Sequence, residues 1–291
     1  MGKQSQTILL NQKNVVEGSN NSKYEYMFKY PTQFENQEVA LVSLAMYYSW
    51  YNINAQLYNN NLLQYKWIDG TVHDVIFDNG KYQLTDIVKF IKYVMKANKH
   101  YVTTDAAGND MLFYFDLIEN PPYYCFQFLM DPLPSLAQTR SAVDVPILFK
   151  APDATWNFPS TPKTFQFLFP TTSNFNKLLG FNYGYTPNIP TSNAWTPNSD
   201  FTPVITPCNA LVLRCNLVNN ALSVPNDVIY TFTQGMTQFG DLIEKMPTNL
   251  VFSPVANGTY PSISITFMDQ NYQPVQILDS QLLITLLIQD K

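Results

Sequence analysis

Ser262-Ile-Ser-Ile-Thr-Phe-Met268 alternates polar and apolar residues, and Gln281-Leu-Leu-Ile-Thr-Leu-Leu-Ile288 is almost wholly apolar. The first has the period of a strand with one face in a core. The second is too short to span a membrane and reads as a strand covered on both faces inside a sandwich. Ile284, Leu286 and Ile288 then share one face, with Leu283 and Leu287 on the other. Working back from these, Thr206–Leu217, Val228–Thr233 and Leu250–Phe252 are further runs rich in β-branched and aromatic residues. Asn, Gly and Pro separate them, which is the punctuation of an all-β region.

Upstream, Tyr24–Tyr30 alternates and predicts a strand ended by Pro31. Glu38–Ile53 fits helix or strand in its first half, and Tyr47-Tyr-Ser-Trp-Tyr51 favours strand. Leu62–Ile68 and Thr71–Phe77 flank Asp69-Gly70, a hairpin signal. Thr85–Asn98 predicts a helix capped by Thr85 or Asp86, with Ile87, Ile91, Val94 and Met95 on one face. Lys89, Lys92, Lys96 and Lys99 read as its solvated side rather than a grip on nucleic acid or acidic lipid. Tyr101–Thr103 and Met111–Ile118 flank Asp105-Ala-Ala-Gly-Asn109 as another hairpin, and Tyr123–Met130 is a strand. Most of the 20 prolines fall in Asp131–Pro207. Within it, Thr164–Phe169 is a strand and Asn174–Phe181 a short helix ending at Gly180. Residues 2–22 are polar without a sustained period and read as a mobile arm.

With 46% hydrophobic residues, the 291-residue chain can bury a core. Only 13% are charged, about half the usual share, which suggests a surface that meets other protein. The net charge of −5 argues against a nucleic-acid coat. Cys125, Cys208 and Cys215 are an odd number without metal spacing and read as reduced thiols of a cytosolic setting. Cys208 and Cys215, seven apart in one expected strand, would face opposite ways. The N-terminus has no apolar signal segment, so the sequons at Asn20 and Asn257 read as turns.

Chemical motifs do not emerge. No phosphate-binding glycine loop or zinc spacing is present. Asp269, Asp279 and Asn271 have ligand types suited to calcium, but turn capping explains them. His73 beside Asp74 has the types of an acid–base pair, without a nucleophile pattern. The sequence therefore assigns no catalytic, cofactor-binding or metal residue and no cofactor.

Tyr47-Tyr-Ser-Trp50, Asn79-Gly-Lys-Tyr-Gln-Leu-Thr-Asp-Ile87, Ile118-Glu-Asn-Pro121, Leu178-Leu-Gly-Phe181 and Cys215-Asn-Leu-Val-Asn-Asn220 occur in this order. Ile229-Tyr-Thr-Phe232, Gly258-Thr-Tyr-Pro-Ser-Ile263 and Thr266-Phe-Met-Asp-Gln270 follow. Together they resemble the penton, or minor capsid, protein of virophages and Polinton-type double-stranded DNA viruses. The resemblance implies an all-β fold: a single jelly roll, an eight-stranded antiparallel sandwich, with an inserted mixed β and helical region. On it, residues 1–22 are the arm, 23–84 and 206–291 the jelly roll, and 85–205 the insertion with long loops. It also implies a non-enzymatic vertex capsomer of an icosahedral virion, made and assembled in the host cytoplasm. Its partners would be itself, as a homopentamer, and the major capsid protein, with no specific nucleic acid and no membrane span. The alternative reading is a lectin-like jelly roll that binds sugars through Asn, Asp and aromatic loop residues.

Overall fold

The computed structural model describes residues 5–103, 110–135, 140–142, 145–147 and 156–291. In chain order the first strands are β1 (Ser5–Asn11), β2 (Lys23–Phe34), β3 (Gln37–Tyr47), β4 (Leu62–Lys66) and β5 (Val72–Ile76). Helix α1 (Leu84–Ala97) follows, then β6 (Phe115–Asn120), β7 (Cys125–Met130), β8 (Arg140–Ala142), β9 (Val145–Ile147) and β10 (Gln166–Phe169). Helix α2 (Phe175–Leu179) precedes β11 (Gly184–Thr186), β12 (Ala210–Cys215), β13 (Val228–Thr233) and β14 (Leu242–Lys245). The chain ends with β15 (Ser253–Pro254), β16 (Gly258–Asp269) and β17 (Leu282–Asp290). The hairpin expected at Asp105–Asn109 lies outside the described residues, but Val102 and Leu112 on its flanks pair as an antiparallel bridge.

The chain divides into two units, 1–50 with 208–291, and 51–207. In the first, one sheet runs β1-β17-β3-β14, with β15 also on β3, and the other runs β13-β12-β16-β2. All these pairings are antiparallel. Two antiparallel sheets in this order, four strands along the path of each with the two-residue β15 added to the first, are a jelly roll. Inward residues stand in register across each sheet: Leu10, Ile284 and Leu44 in one, and Tyr24, Ile265 and Cys215 in the other. All six are buried in a single core. The alternation over 262–268 sets this register, because a slip by one residue would turn Ile263, Ile265 and Phe267 outward.

Four expectations need correction here. Residues 2–22 are not a loose arm throughout, since β1 pairs with β17 from Ser5 to Asn11 and Leu10 is fully buried. The short apolar run within Thr7-Ile-Leu-Leu10 is the kind that docks on a neighbour, and here it docks on β17 of its own chain. Pro31 does not end β2. That strand is a sheet edge, where a missing N–H costs no ladder bond, and its register shifts opposite Tyr260–Ser262. The final strand lies inside its sheet, but only one face is covered, and Leu283 is exposed. The jelly roll does not extend through residue 84: β4 and β5 pair with β10 in the second unit. Alternation and Asp69-Gly70 identify a hairpin without saying which sheet receives it.

Cys208 precedes β12, so strand alternation does not separate it from Cys215. Neither is in a disulfide, and both are buried in the sandwich core. Burial pushes the Cys215 thiol up to about 12, from 9.0. It does the same to the phenols of Tyr24, aided by Asp279, and of Tyr48, aided by Cys208, each to about 12 from 10.0. A raised folded value favours the protonated form in the native state. This contribution is fully present below about pH 9 and is lost as pH rises through about 12. We predict that the denaturant midpoint of this unit falls progressively over that window, read by circular dichroism. A midpoint flat to pH 12 would contradict these burials.

In the second unit the sheet order is β11-β10-β4-β5, with β6-β7 and β8-β9 as separate hairpins. Leu84, Ile87, Val88, Ile91 and Met95 of α1 are buried, which is the face its spacing predicts. Its cap is Gln83 rather than Thr85, and the Asp86 carboxylate accepts the Gln83 N–H at 3.0 Å. The core is aromatic: Phe167 packs on Phe115, Phe128 and Phe165 with ring centroids 5.0–5.2 Å apart. Gly180 closes α2 at φ +82, and a Cβ there would strike the Phe201 carbonyl, so only glycine fits. A buried asparagine set holds the start of the unit. Asn52 Nδ2 donates to the Tyr82 and Ile205 carbonyls, and Asn60 Nδ2 donates to the Asn52 carbonyl. These bonds meet the demand that buried amides be paired.

Candidate functional site

His73 and Asp74 do not form the pair that their adjacency suggests. Successive strand residues face opposite ways. Asp74 accepts from Gln64 Nε2 at 2.6 Å on the exposed side. His73 instead stacks on Tyr65 and lies 4.6 Å from the His100 ring, centroid to centroid. Two histidines from distant segments thus meet, a proximity created by the β4–β5 pairing and the end of α1.

The donors in this cluster can be followed one by one. Thr71 donates its only hydroxyl proton to the acceptor-only Asp69 carboxylate at 2.6 Å. Its oxygen therefore accepts from His73 Nε2 at 2.8 Å, which places a proton on that nitrogen. Asn98 Nδ2 donates to the Tyr65 hydroxyl at 2.9 Å, and that hydroxyl lies 2.8 Å from His100 Nδ1. Burial opposes ionisation of Asp69. The Thr71 hydroxyl and amide, with His100 and His73, outweigh it and hold the carboxyl below its usual value. Burial raises the Tyr65 phenol, so it stays protonated. These side chains satisfy one another, while the Trp67 ring stacks on His100 at 4.6 Å and its buried indole N–H has no hydrogen-bond partner among the described residues. This arrangement builds a polar core beside a hairpin turn and leaves no activated nucleophile.

Asp269 is buried and accepts the N–H groups of Asn271 and Gln273, each at 2.8 Å. Asp279 accepts the N–H of Gln281 at 2.8 Å. Both act as turn caps. Among the described residues, no group of three His, Cys, Asp or Glu side chains could hold a metal ion. Lys89, Lys96 and Lys99 are exposed, while Lys92 meets Asp116 at 3.4 Å and lies over the Phe115 ring. The sequon residue Asn20 takes φ +53, and Asn257 Oδ1 accepts the N–H of Asn36. Both belong to turns. No helix is long and apolar enough to cross a membrane, among the described residues.

The less ordinary chemistry of the jelly-roll unit is on its surface. Leu222 and Val224 in the β12–β13 connection, and Met236 after β13, are more than nine-tenths exposed. Met246 and Val251, between β14 and β15, are also strongly exposed. On the outer face of the β1-β17-β3-β14 sheet, Leu9, Leu283 and Leu242 are exposed on three strands. Sequence patterning gives no warning of Leu222, Val224, Met236 or Met246, while Val251 belongs to Leu250–Phe252, a run expected as a strand that instead lies just before β15 and leaves Val251 in solvent. Single exposed apolar residues are ordinary, but so many large ones on loops and one sheet face make a surface fit for protein contact.

No family model matches the chain, and no curated protein matches it. Among solved structures it is similar to the mavirus penton protein, from a selenomethionine-labelled crystal, at TM-score 0.46 and 12% identity. That alignment covers 99% of this chain and 98% of the other. It is also similar to a chain of the Sputnik virophage structure determined by cryo-electron microscopy, at TM-score 0.43 and 11% identity. There the coverage is 100% of this chain and 98% of the other.

Proposed function

We propose that this chain is a structural capsid protein that forms the pentameric vertex capsomer of an icosahedral virion. The observation that carries the reading is the eight-stranded jelly roll whose loops hold Leu222, Val224, Met236, Met246 and Val251 in solvent. A free chain gains nothing from these exposures. Covering them against neighbouring copies would bury apolar surface at roughly 25 cal/mol per Å². The low charge content fits the same use, because interface centres shed charge. Rotation about a fivefold axis joins one patch to a different patch on the next copy and closes the ring. The outer rim then meets the major capsid protein, and assembly in the host cytoplasm suits three cysteines outside any disulfide.

Each contact is weak alone, and closure adds avidity. The purified chain is therefore expected as monomer at low concentration and pentamer at high concentration or with the major capsid protein. Native mass spectrometry across a concentration series reads this directly. Met236→Asp with Leu222→Asp is expected to lower the pentamer association constant at least tenfold, about 1.4 kcal/mol, while the melting curve stays within about 1 kcal/mol. A discrete dimer or hexamer under every condition would overturn the reading.

A further inference from the structure

A groove of about 230 Å³ in the second unit lies between two edge segments, β11 with its flanks and residues 195–200. The second segment runs along β7: Met130 and Trp195 exchange backbone hydrogen bonds at 3.0 and 2.8 Å, and Ser199 donates to the Phe126 carbonyl. Phe181 is buried beneath, against Phe128 and Phe169. Both walls are thus fixed by the sheet and the aromatic core, and the groove is preformed.

Its lining combines two kinds of group. Tyr183, Tyr185 and Trp195 supply aromatic surface, and both tyrosines are exposed. Asn182, Asn188, Asn198, Thr186 and Asp200 supply polar atoms. Some of these are already used: Asp200 accepts the Asn182 N–H at 2.7 Å, and Asn198 Oδ1 accepts from Asn120 at 3.0 Å. The side-chain amides of Asn182 and Asn188 make no hydrogen bond among the described residues. Planar amides and one carboxylate provide paired donors and acceptors at fixed angles, as vicinal hydroxyls require. Aromatic faces receive the C–H face of a pyranose ring, while their edges leave its hydroxyls to the amides. The Asp200 carboxylate in the lining is offset by Lys66, whose Nζ lies over the Tyr185 ring at 5.5 Å from its centre, so the groove carries no net positive charge to favour phosphate, sulfate or a sialic acid. The volume is below the roughly 300 Å³ of a site for drug-sized molecules and suits a single ring.

We propose that this groove is a binding site for a neutral hexopyranose, such as the terminal residue of a surface glycan. Tyr185 serves as a stacking platform and Asn188 as a hydroxyl partner. The site is independent of the assembly reading, because it needs no second copy. The test is saturation-transfer NMR on the full chain with the methyl glycosides of glucose, galactose, mannose and N-acetylglucosamine, and with sialic acid. At least one neutral glycoside is expected to bind. Its affinity should fall about fivefold to tenfold in Asn188→Ala, the loss of one net hydrogen bond, and at least as much in Tyr185→Ala. Tyr93→Ala, an exposed tyrosine on α1, serves as control and should leave it unchanged. Both groove positions are exposed, so circular dichroism should report native folding. No transfer from any neutral glycoside, equal transfer in the groove variants, or transfer from sialic acid alone would each overturn the proposal. Pentamer formation in Asn188→Ala is measured alongside, and its persistence separates the failure of one reading from that of the other.

Discussion

Ile284→Asp is expected to destabilise the sandwich by about 3–5 kcal/mol, a large part of what holds a domain together. Ile284 lies on an interior strand, fully buried, with Leu10 on one side and Leu44 on the other. A carboxylate there has no cation or donor to meet it, so it must stay charged in an apolar site or take a proton at neutral pH. The neighbouring Leu283→Asp is the internal control. Its side chain points to the uncovered face, and the expected cost is within about 1 kcal/mol. Urea denaturation of both variants checks the pair. Native stability in Ile284→Asp, or equal losses at the two positions, would refute the assignment of faces on β17.

Phe167→Ala is the corresponding test in the second unit, with an expected cost of about 3–5 kcal/mol. The ring is fully buried, stacked on Phe128 at 5.0 Å and edge-on to Phe115 at 5.1 Å. Its removal leaves a cavity that the surrounding rings, held on β6, on β7 and just before β10, cannot fill by small movements. In a unit of roughly 160 residues this corresponds to a fall of about 6–20 °C in Tm. Phe167→Leu keeps most of the volume and is expected to cost about 1.5 kcal/mol or less. Differential scanning calorimetry distinguishes these outcomes, and an unchanged transition in Phe167→Ala would show that the ring carries no packing.

The strands near the C-terminus were readable because each brings its own face. Val228–Thr233 is observed as expected, and the alternation over 262–268 lies within β16. The same holds for α1, whose apolar spacing is local, and for the turn at Asp69-Gly70 between β4 and β5. What escaped was decided by partners far away in the chain. β1 exists because β17 receives it, and Ile8-Leu-Leu10 alone does not announce a strand. The sheet that takes β4 and β5 is set by β10, about a hundred residues on. In the histidine cluster, His73 and His100 come from segments far apart in the chain, and Asp74 stands next to His73 in sequence. Chain neighbours on a strand diverge, whereas the β4–β5 pairing and the end of α1 bring distant residues together. The binding groove had an equally weak signature, since Asn, Thr and Tyr in a proline-rich stretch become a site only when β11 and residues 195–200 are set side by side.

The pairing of β1 with β17 has a consequence for how the chain is made. On a ribosome, Ser5–Asn11 emerges long before its partner, Leu283–Gln289. Strand β3 waits likewise while Tyr51–Pro207, roughly 160 residues, is translated before β12 appears. At about 5–20 residues per second that pause is on the order of 10–30 s. The second unit is complete in sequence by then and can fold during the pause, but the sandwich cannot. Its first three strands must remain unpaired with their final neighbours until β16 and β17 have been made. Long-range closure of this kind makes folding slow and leaves apolar strands open to wrong partners, including the same strands of nascent chains on one message. Yield in a recombinant host should therefore depend on translation rate and temperature more than on the stability of the finished protein.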